Sequence, residues 1–254
     1  MKNLPIVIGN WKMHKTIKEG ISFVGEIQNR ILDTVDAKVI FCPPFTALFP
    51  IVESLGNSSF SVGAQNVHHK SYGAFTGEIS IDMLRSAGVK YVIIGHSERR
   101  HIFGEIDRWI NQKIQTVIES ELTPIFCIGE TLDDRRSAQT SAVLKEQIEF
   151  GLSGLTNIDP EKFIVAYEPV WAIGTGETAT AAQVEAAHEN VKGLLQFMFD
   201  TNGYDIPILY GGSVNADNAK SLIQTKGVNG FLIGGASLNI ESFCHIIETV
   251  ATHY

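Results

Sequence analysis

Eight short apolar runs set the frame of this 254-residue chain. They are Ile6–Gly9, Val39–Cys42, Phe60–Ala64, Tyr91–Gly95, Ile125–Ile128, Phe163–Tyr167, Ile208–Tyr210 and Phe231–Gly234. Each is apolar on consecutive residues rather than alternate ones, the pattern of strands buried on both faces. Between them lie amphipathic stretches with a helical repeat. Ile17, Ile21, Val24, Ile27 and Ile31 share one helical face behind a capping-box pair, Thr16 and Glu19. Ile106, Ile110, Ile114 and Val117 make a second face. A third follows another capping pair, Thr180 and Gln183, and runs through Val184, Ala187, Val191, Leu194 and Met198. The spacing of the apolar runs is about that of one βα unit. Eight such units predict an α/β fold: eight parallel strands closed into a (β/α)8 barrel, with helices outside. An open doubly wound sheet is the alternative. The lack of a G-x-G-x-x-G turn after the first run argues against it. No low-complexity linker interrupts the chain, so residues 1–254 read as a single barrel domain.

A net charge of -8 argues against a nucleic-acid partner or an anionic membrane surface. It leaves room for a small anionic substrate, because one lysine and a few backbone N–H groups make a local positive site. Cys42, Cys127 and Cys244 are odd in number and far apart, so neither a disulfide framework nor a metal site is expected. No stretch reaches the ~18 apolar residues of a membrane span. The run Leu4–Gly9, broken by Pro5, is too short for a signal peptide. A reducing cytoplasm is the expected compartment.

In a parallel barrel all strand ends converge on one face. The ends carry Asn10 and Lys12, Gln65 and Asn66, His96 to Arg100, Gly129 and Glu130, Glu168, Gly211 to Ser213, and Gly234 and Gly235. Glu168 is the most telling, because a carboxylate at the end of a buried strand is costly unless it is paired or used. After it come the rigid Pro169, the apolar Val170–Ile173 and then Gly174, Thr175 and Gly176, a composition suited to a loop that closes over a ligand. Each residue has a plain structural reading on its own. Glu168 reads as an ion-pair partner, His96 as a structural histidine, Lys12 as a solvated lysine, and the glycines as turns. Together they are complementary. Glycine loops after the seventh and eighth strands are where barrels hold phosphate. Glu168 suits a base for a carbon-bound proton. His96 suits a hydrogen-bond donor to the neighbouring carbonyl, and Lys12 offsets the charge of an enediolate. The set points to proton transfer without a cofactor. A barrel retained only for binding would not need Lys12, His96 and Glu168 together. An aldolase-type barrel would need a Schiff-base lysine or a metal cluster, and neither stands at the sixth or seventh strand end.

The segments GNWKM (9–13), FCPPF (41–45), GAQN (63–66), GAFTGEIS (73–80), IIGHSERR (93–100), CIGET (127–131), AYEPVWAIGTG (166–176), YGGSV (210–214) and GGASL (234–238) occur in order and reach nearly every βα loop. In them the chain resembles the triosephosphate isomerases from end to end. The resemblance implies a TIM barrel that interconverts dihydroxyacetone phosphate and D-glyceraldehyde 3-phosphate, a step of glycolysis and gluconeogenesis. It implies Glu168 as the base, His96 as the neutral electrophile, and Asn10 and Lys12 as polar and electrostatic contacts. Gly174, Ser213, Gly234 and Gly235 match phosphate-binding positions, and Ser97 and Glu98 match residues flanking the histidine. His96, placed just before Ser97 and Glu98, is expected at a helix start, where the dipole disfavours an imidazolium. The resemblance implies a lid from Pro169 to Ala179, no cofactor or metal, and a homodimer built through the Gln65–Glu78 loop, with Thr76 beside the partner's site. One departure falls at the second lid hinge, where Glu177, Thr178 and Ala179 stand in place of the family's usual Lys-Thr-Ala. That charge reversal bears on lid kinetics rather than on chemistry. The adjacent His68 and His69 are expected to point different ways.

Overall fold

The computed structural model describes residues 4–32, 34–173 and 178–254. Its strands are β1 (Ile6–Asn10), β2 (Lys38–Cys42), β3 (Ser61–Ala64), β4 (Tyr91–Ile94), β5 (Thr123–Ile128), β6 (Ile164–Tyr167), β7 (Ile208–Tyr210) and β8 (Gly230–Ile233). They pair in sequence order, all parallel, and β1 closes on β8, with Val7 opposite both Val39 and Phe231. The helices are α1 (Ile17–Arg30), α2 (Leu48–Leu55), α3 (Ile81–Ser86), α4 (Ser97–His101), α5 (Asp107–Glu119), α6 (Leu132–Arg136), α7 (Thr140–Gly151), α8 (Ala181–Asp205), α9 (Ala219–Ile223) and α10 (Ile240–His253). At least one helix therefore follows every strand. All eight apolar runs became strands. The fifth begins earlier than its run, at Thr123, with Pro124 paired to Val92 near the strand start, a position that tolerates proline.

Consecutive apolar residues follow from two buried layers. Residues such as Val7, Phe41, Val165 and Phe231 face the helices. The alternate ones, including Ile6, Ile8, Ile40, Ile125, Cys127, Ile164, Ala166, Leu209 and Leu232, fill the barrel interior. That alternation runs on past the apolar layers. After Ile6 and Ile8 comes Asn10, after Ile164 and Ala166 comes Glu168, after Leu209 comes Gly211, and after Leu232 comes Gly234. The strand period therefore places these residues in the top layer of the barrel.

Both capping boxes formed, Thr16 with Glu19 and Thr180 with Gln183. The buried face of α1 differs from the spacing expectation. Ile17 and Ile21 are exposed, whereas Gly20, Phe23, Val24 and Ile27 are buried. Gly20 lets the helix come close: a Cβ there would lie 3.1 Å from Ile51 and 3.2 Å from Trp11. Ile106 precedes α5 as its exposed N-cap, while Ile110, Ile114 and Val117 are buried. The long helix α8 breaks at Phe199 and Asp200. His68 and His69 do not point apart. Their rings stack with centroids 4.5 Å apart, because residues 65–80 form turns and not a strand with alternating side chains. Among the described residues, no helix is long and apolar enough to cross a membrane.

Candidate active site

Glu168 follows β6 directly. Its backbone N–H donates to Ile128 at 2.7 Å, and the residue is 2% exposed. One carboxylate oxygen, Oε2, accepts from the Ser97 N–H at 3.1 Å. The other, Oε1, lies 3.1 Å from Nε2 of His96. Gly211 makes room beside it, since a Cβ at that position would sit 2.8 Å from Glu168 Cγ.

His96 is the N-cap of α4. Gly95, at φ +73°, ends β4 in a conformation that favours glycine. Nδ1 of His96 accepts from the Glu98 N–H at 3.2 Å, which puts the ring proton of a neutral imidazole on Nε2. Burial opposes a second proton on this ring. The touching Glu168 carboxylate, with Glu98 behind it, outweighs burial and raises the proton affinity of His96 above its ordinary value. The helix start alone therefore does not hold the ring's proton affinity down while Glu168 lies against it.

Lys12 continues the inward period of β1. Its ammonium pairs with Glu98 at 2.7 Å. Its backbone is left-handed at φ +52°, a conformation that costs about 1–3 kcal/mol for a residue other than glycine. Two groups hold it there. The Lys12 N–H donates to Asn10 Oδ1 at 3.1 Å, and Gln65 Nε2 donates to the Lys12 carbonyl at 2.8 Å. The same amide nitrogen donates to Cys42 O at 2.9 Å and so bridges the ends of β1 and β2.

Asn10, Lys12, His96, Glu168, Ser213, Gly234 and Gly235 line one cavity of about 180 Å3, together with Gly211, Gly212 and Ile173. Ser97 and Glu98 stand behind it as partners of Glu168 and Lys12. Thr76 is exposed in the 65–80 turns and contributes nothing to this lining. Gly174 and Glu177 lie outside the described residues. Among those described, no group of three or more His, Cys, Asp or Glu side chains is placed to hold a metal ion.

Strand-end reasoning gave no role to Glu130, which is fully buried. Its Oε1 accepts from Tyr167 Oη at 3.1 Å, Trp171 Nε1 at 3.0 Å and Arg135 Nη1 at 3.1 Å. Its carbonyl accepts from the Val170 N–H at 3.0 Å, and the Arg135 guanidinium covers the Trp171 ring. One carboxylate thus anchors the segment that leaves Glu168. Burial, followed by the charge of Glu130, pushes the Tyr167 phenol well above its ordinary range, so it stays a donor. The available sequence signal was only that Glu130 follows the fifth strand end.

A family model described as triosephosphate isomerase matches residues 5–250. The triosephosphate isomerase of Syntrophotalea carbinolica is 45% identical over 245 residues, covering 96% of this chain and 97% of the relative. That of Carboxydothermus hydrogenoformans is 48% identical over 245 residues, covering 96% and 98%. A crystal structure of triosephosphate isomerase from Bartonella henselae superposes with a TM-score of 0.88 at 38% identity, over 97% of this chain and 99% of that one.

Proposed function

The chain belongs to the triosephosphate isomerase family and interconverts dihydroxyacetone phosphate and D-glyceraldehyde 3-phosphate, and we propose that Glu168 carries the proton between the two substrate carbons. The observation that carries this assignment is the one cavity lined by Glu168, His96 and Lys12 together, with His96 Nε2 against the Glu168 carboxylate. In the reaction, a base takes a proton from one carbon beside a carbonyl and returns it to the next. Between those steps the substrate is an enediolate, whose negative charge sits on oxygen. Both Glu168 oxygens now rest on protein groups, so the carboxylate must leave the Ser97 N–H and His96 to reach a carbon. Substrate entering between Glu168 and His96 would remove the larger of the two carboxylate influences that raise the proton affinity of the histidine, leaving Glu98, whose charge Lys12 pairs. Burial and the Glu98 N–H then keep the ring neutral, with Nε2–H aimed at a substrate oxygen. Lys12 offsets the developing charge, and Asn10 fixes the Lys12 backbone. The backbone N–H groups of Ser213, Gly234 and Gly235 take the phosphate, with Gly174 joining from outside the described residues.

The same reading includes a homodimer through the Gln65–Glu78 loop, with Thr76 reaching the partner's site. Met13, Tyr72 and Phe75 support it, because these large apolar side chains stand exposed on or beside that loop. A cytoplasmic location fits three cysteines that are all free thiols. The test is isomerisation in deuterium oxide. One carboxylate that moves the proton predicts at most one deuterium per turnover at the reacting carbons of the product, entering by exchange of the carboxyl proton with solvent, and loss of both turnover and labelling in Glu168→Gln. Labelling at the wild-type rate in that variant would refute the assignment.

A further inference from the structure

We propose that Gln147, a residue of the outer helix α7, is a positioning residue for the proton-transfer base, because its side-chain amide fixes Gly129 against the backbone of Glu168. Gln147 is 9% exposed and does not line the cavity. Its Nε2 donates to Gly129 O at 3.1 Å, and its Oε1 accepts from the Gly129 N–H at 2.8 Å. Two bonds to both backbone groups of one residue are what a neighbouring strand supplies. The β5–β6 ladder ends at the pair Ile128 and Tyr167, followed by the bond from Glu168 N–H to Ile128 O. Gly129 is the next residue. A Cβ there would lie 1.7 Å from the Glu168 carbonyl oxygen, closer than any side chain allows. The two backbones are therefore in direct contact, and displacement of Gly129 is displacement of Glu168.

Glu168 sits between two glycines. On one side Gly211 follows β7, and its N–H donates to Tyr167 O at 2.7 Å. On the other, Gly129 lies past its ladder and receives its fixing contacts from α7. Glu130, the residue after Gly129, holds Trp171 and Val170. The Gln147 amide thus sets the platform that carries both the base and the chain leaving it. A carboxylate that must serve two adjacent carbons tolerates little displacement, since an error of about 1 Å costs about 100-fold in rate.

This inference rests on Glu168 being the base, and the test separates the two. Gln147→Met removes both bonds at nearly constant volume. The readouts are kcat and KM for glyceraldehyde 3-phosphate, and inhibition by inorganic phosphate and by a phosphorylated carboxylate analogue of the enediolate. Expected is a fall in kcat of about 10- to 100-fold, with the analogue weakened in parallel. KM and phosphate inhibition should stay within about twofold. Unchanged kcat per folded enzyme, even with a lower melting temperature, overturns the proposal. Equal weakening of phosphate binding overturns it too, because that is general damage to the site. If the Met variant does not fold, Gln147→Glu, which keeps an acceptor for the Gly129 N–H and loses the donor, is read by the same split. Full turnover in Glu168→Gln would remove the base assignment itself. Lost turnover there, beside unchanged turnover in Gln147→Met, would remove only this inference.

Discussion

The two ends of the barrel differ in a way that cavity size does not predict. The strand starts Ile6, Lys38, Tyr91 and Ile164 open on a cavity of about 680 Å3, whereas the one at the strand ends measures about 180 Å3. The larger cavity also carries charge, from Lys38, Glu161, Lys192 and Asp205. Yet several of its polar groups are tied to the fold. Lys192 Nζ donates to the carbonyls of Tyr204 and Ile206, both at 2.7 Å, where α8 ends. Asn229 accepts from the Ile208 N–H at 2.9 Å and donates to Tyr254 Oη at 3.0 Å, which secures the start of β7 and the end of the chain. Burial pushes the Lys192 ammonium down to about 8. At the smaller cavity the side chains of His96, Glu168 and Lys12 share one lining, with His96 against Glu168 and Lys12 paired to Glu98. A site is marked by polar groups turned toward a common space, and a fold-holding end by polar groups turned toward backbone.

The largest expected effect that sharpens this contrast is at His96. His96→Asn keeps a side chain able to cap α4 but withdraws the donor from the cavity. Turnover should fall by about 100-fold or more, as for loss of one oxyanion donor, with a melting temperature within a few degrees of wild type. Wild-type kcat in that variant would mean that the strand-end cavity has no electrophile at this position.

A smaller effect concerns stability. His188 of α8 is fully buried and packs edge-on to Tyr167, with Nδ1 2.9 Å from Gly227 O. Burial lowers its pKa from 6.5 to about 4. As pH falls, the unfolded chain therefore takes up the proton first. The stability held by the neutral ring is complete above about pH 6.5 and lost towards pH 4, amounting to about 3 kcal/mol. Urea unfolding across that window should show this loss in the wild type and a flatter curve in His188→Gln. Equal slopes would show that His188 is not the group that titrates.

Much of this contrast was legible in the sequence, because both barrel layers and the strand ends obey a period of two. That period carries Asn10, Glu168, Gly211 and Gly234 to the top layer, and capping chemistry set the starts of α1 and α8. Gln65, Glu130 and Gln147 were less legible. Gln65 bonds backbone carbonyls 23 and 53 positions away, Gln147 clamps a residue 18 positions away, and Glu130 receives donors from the end of β6 and the segment after it, 37 and 41 positions away. No local pattern encodes such closures, since they exist only once the barrel has formed. The stacked His68 and His69 show the converse, an alternation rule applied where the backbone is a series of turns. Ile17 and Ile21 missed the core because Gly20, which has no side chain, is the point of closest approach for α1.

The most direct measurement is turnover of Glu168→Asp beside Lys192→Met in one coupled assay. Withdrawing the carboxylate by one methylene should lower kcat by about 100-fold or more while KM changes little, and the lysine variant should keep kcat within about twofold. Near-normal turnover in Glu168→Asp, or an equal loss in Lys192→Met, would contradict the assignment of chemistry to the strand-end cavity alone.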